Sequence, residues 1–237
     1  MQEKISISID RNLLLRVDNL VDGHAIKKRS KAFEFVLDEY FKGLMVNNLV
    51  ILGGSDVKID DRAVLSNVKR LMNSGVKKVF IIGDNNFDIL KNNFSKLGLE
   101  VGIIKEKTLL GTAGALKLIE GRINKPFLAI FINIKFDFDV AGMISLHKQN
   151  SSIATIGVTL ARKNTIPNNI AVEGNKITSY NKRKNQFINA GIYLFEPKIF
   201  SYLPKKGTLD RDVFPKLAEQ GKLYSYIITE NWEYLGK

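Results

Sequence analysis

Four places in this sequence carry residue types that could do chemistry. Gly53–Gly54 follows an apolar run and could let backbone amides approach a phosphate closely, or simply form a turn. Gly111–Thr112 precedes a helical pattern. Gly111 would permit close backbone approach and Thr112 would cap the helix, leaving its free amides toward a ligand, or the pair would form a capped helix and nothing more. Asp137 and Asp139 lie close together, with Asp139 placed to cap a helix starting at Val140. His24 and His147 are the two histidines, each isolated in sequence, with no Ser or Asp arrangement suggesting a triad. They read as surface or helix-packing residues, and no metal site is expected from them. The absence of cysteine removes thiolate nucleophiles, disulfides and cysteine-based zinc sites. Trp232, with Tyr226 and Tyr234 nearby, reads as C-terminal packing.

The elements that must position these residues follow two patterns. Residues 48–52, 77–83, 100–105 and 127–132 read as buried strands, with helices near 62–73, 87–97, 112–121 and 140–149 between them. Strands alternating with crossover helices predict an α/β, Rossmann-like, mostly parallel doubly wound sheet. Later strands (154–160, IAVEG, KITSYN, 188–195) come in quicker succession and predict an antiparallel extension. In such a sheet ligands sit beyond the carboxyl ends of the strands.

Residues 1–44 read differently. KISISI alternates Ile5, Ile7 and Ile9 against Lys4, Ser6 and Ser8, the period of a strand with one buried face. Asp10 would cap a helix ended by Gly23. After the basic turn KKRSK, Ser30 would cap a second helix with an apolar face of Phe33, Val36, Leu37, Tyr40 and Phe41. One strand and two helices bury too little surface alone, so a homodimer pairing two strands into a ribbon is expected, and a higher oligomer is open.

The net charge of +12 points to polyanionic partners. Residues 1–48 hold eight basic and seven acidic side chains, so +11 of it belongs to the rest of the chain. No segment has the apolar length of a membrane span, and MQEKISISID lacks a secretory pattern; a cytoplasmic location is the expectation.

Residues 3–43 resemble a ribbon-helix-helix DNA-binding module. That resemblance implies double-stranded DNA as partner, with Lys4, Ser6 and Ser8 toward base edges and Lys27, Lys28, Arg29, Ser30 and Lys31 at phosphate. Residues 48–237 resemble the sugar-phosphate nucleotidyltransferases through LGTAGALKLIEG, KPFLAIF, INAGIYLFEP and LDRDVFPKLAEQGKLYSY. The likeness implies a nucleotide flanked by Gly53, Gly54, Leu110, Gly111, Thr112 and Gly114, with Lys182, Asn189 and Gly191 on the sugar-phosphate side.

Against the family pattern, the loop GGSDVKIDDRAV is short, and Asp56 stands for a glycine. Only Lys58 could replace the arginine, and a proline-lysine pair is missing. Asn133 and Tyr234 stand where the family holds magnesium with two aspartates, and Asn181 replaces a glutamate. The expectation is a catalytically inactive body, without cofactor or metal, that senses a nucleotide sugar, sugar phosphate or nucleotide for a DNA-binding transcriptional regulator. The alternatives are an active divergent nucleotidyltransferase using Lys58, Asp137 and Asp139, or an oligomerisation scaffold.

Overall fold

In the computed structural model of this chain, residues 3–54, 59–160, 170–180 and 187–236 are described. It divides into two compact units, Met1–Met45 and Val46–Lys237.

The first unit holds two helices, α1 (Arg11–Asp18) and α2 (Arg29–Gly43). Asp10 caps α1 as expected, its carboxylate accepting from the amides of Asn12 and Leu13. That helix ends at Asp18, before Gly23. Beyond it the Asp22 carboxylate accepts from the amides of His24 and Ile26. Those bonds, Ile26 first and then His24, hold the Asp22 carboxyl below its ordinary range.

Three sequence expectations for this unit meet the structure of a single chain, and one of them, the Ser30 cap, is corrected. Residues 4–9 form no strand, because a strand exists only by pairing and no described segment of the chain pairs with them. The N-cap of α2 is Lys28 and Ser30 lies inside its first turn. Two of the four basic side chains read as phosphate contacts are engaged within the unit. Arg29 donates to both oxygens of Asp18 (2.6 and 2.8 Å), and Lys31 pairs with Glu34. Lys4, Ser6, Ser8, Lys27 and Lys28 are exposed. Val17 and Ala32 are this unit's fully buried apolar side chains among the described residues, while Ile5 is 77% and Ile7 60% exposed.

The second unit alternates β1 (Asn48–Gly54), α3 (Asp61–Met72), β2 (Lys78–Gly83), α4 (Asp88–Lys96), β3 (Glu100–Lys105), α5 (Gly111–Lys117) and β4 (Phe127–Phe131). After β5 (Ile134–Phe136) and α6 (Ala141–Gln149) come β6 (Ala154–Leu160), β7 (Ile170–Glu173), β8 (Lys176–Tyr180) and β9 (Phe187–Phe195). A 3-10 turn, a π-helical turn (Leu209–Val213), α7 (Phe214–Glu219), β10 (Leu223–Ile227) and β11 (Trp232–Tyr234) complete it. Nine strands form one sheet in the order β3-β2-β1-β4-β9-β6-β10-β8-β7. β1 pairs in parallel with β2 and β4, and β9 enters antiparallel between β4 and β6. The expected mixed Rossmann-like sheet is therefore present. β3, read as a buried strand, sits at the sheet edge and is buried along neither face.

The core mixes aliphatic side chains of β1, β2 and β4 with an aromatic cluster around β9, where Tyr193, Phe195, Phe127 and Phe214 pack together. β5 and β11 form a separate two-stranded ribbon. Buried Asn67 of α3 holds it: its amide nitrogen donates to the Ile134 carbonyl at 2.7 Å and its oxygen accepts from the Phe136 amide at 3.3 Å. Among the described residues no helix is long and apolar enough to cross a membrane.

Candidate active site

The pairings bring the expected ligand segments to one end of the sheet. Leu52 of β1 lies beside Phe131 of β4, and Ile130 of β4 pairs with Ile192 of β9, so the carboxyl ends of β1 and β4 and the start of β9 converge. Lys182, Lys58, Asp56 and Asn181 lie outside the described residues.

Gly53 is buried, and the ring of Phe87 occupies the space a side chain would need. A Cβ at Gly53 would stand 2.8 Å from Phe87 Cζ, and one at Gly83 would stand 2.9 Å away. The pair of facing glycines thus makes room for an aromatic ring. Gly54 is exposed at φ +62°, the left-handed backbone that lets the chain leave the strand.

The 110–114 loop is tied to the segment before the π-helical turn. Gly111 takes φ +73°, and a Cβ there would lie 2.4 Å from the Gly207 carbonyl oxygen. At Gly114 a Cβ would lie 2.7 Å from the Lys205 carbonyl oxygen. The amides of Ala113 and Gly114 donate to Gly207 at 3.0 and 3.4 Å, and Gly207 donates to the Leu110 carbonyl at 2.8 Å. The helix begins at Gly111, and Thr112 Oγ1 accepts from the Leu209 amide at 2.9 Å. The expected Thr112 cap with free amides is therefore corrected: a passing chain segment takes the amides of Ala113 and Gly114, and the threonine hydroxyl anchors that segment. Both glycines serve contact between two backbones.

Asn189 is the centre of a polar cluster in the aromatic wall. Its Oδ1 accepts from the Gly191 amide at 2.9 Å. Its Nδ2 faces Tyr193 Oη at 2.9 Å, Asp210 Oδ1 at 3.0 Å and Tyr180 Oη at 3.3 Å. Tyr180 donates its hydroxyl proton to Asp210. Burial, then the charge of Asp210 and then Tyr180, push the Tyr193 hydroxyl well above its ordinary pKa, so it stays protonated.

Asn189 is aimed by a bulge in β9. Between the pairs Ile156↔Tyr193 and Val158↔Asn189, β9 places three residues opposite one of β6. Gly191 supplies φ +72°, and a Cβ there would strike Phe131 Cδ2 at 2.7 Å. The bulge carbonyl of Ala190 accepts from the Trp232 indole at 2.8 Å, so Trp232 packs as expected and also satisfies a buried acceptor. Asp210 and Tyr180 were not singled out from sequence. The adjacent acid in LDRD is the signal, but its partners lie 21 and 30 residues away.

Asn133 and Tyr234 are brought side by side, because the Leu235 amide donates to the Asn133 carbonyl at 2.8 Å. Beside the ribbon a cleft of about 380 Å³ is lined by Lys135, Phe136, Asp137, Asn231, Trp232 and Glu233. Asp137 is paired with Arg70, and Asp139 accepts from the Ala141 amide at 3.0 Å, serving the start of α6. Among the described residues no three His, Cys, Asp or Glu side chains gather to hold a metal. An amide and a phenol at positions 133 and 234 do not fit a magnesium ion held by two carboxylates.

His147 is not isolated. It is 1% exposed, with Nδ1 at 2.8 Å from both Ser152 Oγ and Thr155 Oγ1, and Nε2 at 3.4 Å from Glu196 Oε1. Burial, aided by Lys148, lowers its pKa to about 4, so it is neutral at pH 7. Ser152 is 2% exposed, so this cluster is a polar knot of the core and offers no nucleophile to solvent.

The match to known proteins runs through the elements that follow β1. Residues 57–237 match the nucleotidyl transferase family. The zebrafish (Danio rerio) mannose-1-phosphate guanylyltransferase catalytic subunit beta is 27% identical over 188 residues, covering 73% of this chain and 52% of the relative. The Drosophila pseudoobscura protein of the same name is 31% identical over 160 residues, covering 62% and 42%. This chain thus spans about half the length of the curated relatives it matches. HddC from Yersinia pseudotuberculosis superposes with a TM-score of 0.66 at 19% identity, covering 81% of this chain and 94% of that one. The inositol-1-phosphate CTP transferase of T. maritima gives 0.63 at 16%, covering 81% and 90%.

These findings overturn the reading of a DNA-binding regulator with an inactive, merely sensing body, because the relatives are named as enzymes. The inactivity reading rested on two absent carboxylates together with a shortened phosphate loop, and neither by itself excludes a reaction. A cation held by carboxylates is one means of neutralising phosphate charge, and Lys and Arg side chains are another. The chain belongs to the nucleotidyl transferase family.

Proposed function

We propose that the chain is an enzyme joining a nucleoside triphosphate to a sugar 1-phosphate, with mannose 1-phosphate and GTP as the first pair to test. The observation that carries this reading is the family match over 57–237. It includes the 110–114 loop, the end of β4, the bulge of β9 and the Gly207–Asp212 segment, the parts that meet at one end of the sheet. The relatives' names supply the substrate class.

In the reaction a phosphate oxygen of the sugar 1-phosphate attacks the α-phosphorus. The bond from that phosphorus to the oxygen bridging to the β-phosphate breaks, and pyrophosphate leaves with the electron pair. Asn189 and its neighbours would orient the sugar phosphate, and the 110–114 loop would border the nucleotide. Basic side chains would neutralise charge gathered in the transition state. The assay is pyrophosphate release from each nucleoside triphosphate with a panel of hexose 1-phosphates. Release with one pair is expected; none with any pair refutes the reading.

We infer also that a second copy of the chain covers the apolar surface of residues 5–41. Ile5 and Ile7 alternate with polar residues as a pairing strand does, and Leu13, Leu15, Phe35, Leu37, Tyr40 and Phe41 are exposed beside two buried apolar residues. Two such units joined strand to strand would bury what one cannot.

A further inference from the structure

Asp210 is half-buried at the start of the π-helical turn, beside aromatic side chains. Its Oδ1 accepts two donors, the Tyr180 hydroxyl and the Asn189 amide. An asparagine amide has two N–H groups and one carbonyl, and the wrong flip would set its carbonyl against a carboxylate. With Gly191 donating to Oδ1 and Asp210 accepting from Nδ2, one orientation of Asn189 satisfies both of these partners.

The turn carrying Asp210 also touches the other half of the site. Gly207 accepts from Ala113, Leu209 donates to Thr112, and Asp212 closes the turn by accepting from the Thr208 amide at 2.6 Å. Within six residues the chain thus contacts the loop bordering the nucleotide and the side chain assigned to the sugar phosphate. This π-helical turn runs directly into α7, and single π-turns joined to an α-helix are rare and recur at functional sites.

We propose that Asp210 is a positioning residue. It holds the Asn189 amide in one orientation for the sugar phosphate and sets it relative to the 110–114 loop. The proposal rests on the nucleotidyltransferase reading for its kinetic part alone. A misplaced binding group costs rate and affinity even where the fold survives.

Two readouts test it. In the wild type the Asn189 side-chain amide protons should give dispersed, slowly exchanging NMR signals. In Asp210→Ala and in the near-isosteric Asp210→Asn these should shift and exchange faster, while the remaining spectrum keeps its dispersion. If Asp210→Ala does not fold, Asp210→Asn decides. Asn189 signals unchanged in a folded variant overturn the proposal.

In turnover, Asp210→Asn should raise KM for the sugar phosphate about 10- to 100-fold, the size of one charge-assisted hydrogen bond, with KM for the triphosphate little changed. The reverse pattern overturns it. Should the wild type release no pyrophosphate with any pair, the activity reading falls, and the Asn189 signals still decide what Asp210 does.

Discussion

Acidification should destabilise this protein through His147. Its imidazole is surrounded by the hydroxyls of Ser152 and Thr155, by Glu196 at 3.4 Å and by the positive charge of Lys148. A histidine titrating near 6.5 in the unfolded chain and at about 4 in the folded one binds its proton more tightly when unfolded. Stability is therefore full above pH 6.5 and is lost as pH falls from 6.5 toward 4. Linkage gives a loss of about 2 kcal/mol between pH 7 and pH 5, and about 3 kcal/mol in all. For a body of this size, 2 kcal/mol lowers Tm by about 4–8 °C.

Glu196 acts in the opposite sense. Burial raises its carboxyl pKa, so the folded state holds that proton more tightly, but its side chain is 39% exposed and the effect is the smaller one. Urea unfolding followed by Trp232, the one tryptophan, at pH 7 and pH 5 measures the difference. The same pair of titrations on His147→Gln, which keeps a polar side chain without the titration, isolates the histidine. The wild type should lose about 2 kcal/mol more than the variant on acidification. Equal losses in the two proteins would refute the reasoning, for His147 would then not be held neutral by its surroundings.

Gly53→Ala should destabilise the body by more than about 1 kcal/mol, because its methyl meets the Phe87 ring at 2.8 Å in a packed core. Combining it with Phe87→Leu should recover part of that loss, and a double-mutant cycle with no coupling would show that the ring is not the obstacle. Sedimentation equilibrium should find a dimer of the full chain, converted to monomer by Ile7→Lys with Phe41→Lys; a monomeric wild type at micromolar concentration removes the second copy from the apolar surface.

Much of the fold could be read along the chain. The alternation of apolar runs with helical stretches marked β1 to β4 and the helices between them, since burial pattern and caps are local properties. Asp10 could be recognised as a cap because its partners lie two and three residues away. The likeness of residues 48–237 to nucleotidyltransferases was legible for the same reason, as short segments in order. The two changed metal positions were also legible, but local identity did not determine whether the protein reacts.

What required the folded chain is every contact between distant segments. The partners of Gly53 and Gly83 became clear only once parallel pairing set them on either side of Phe87. Thr112 reads as a cap by spacing, yet its hydroxyl is taken by Leu209, 97 residues on. Asp210 reaches Asn189 across β9 and the π-helical turn. Periodicity reports which way a side chain faces, while the identity of what it faces is set by strand order and register, and these are properties of the assembled sheet.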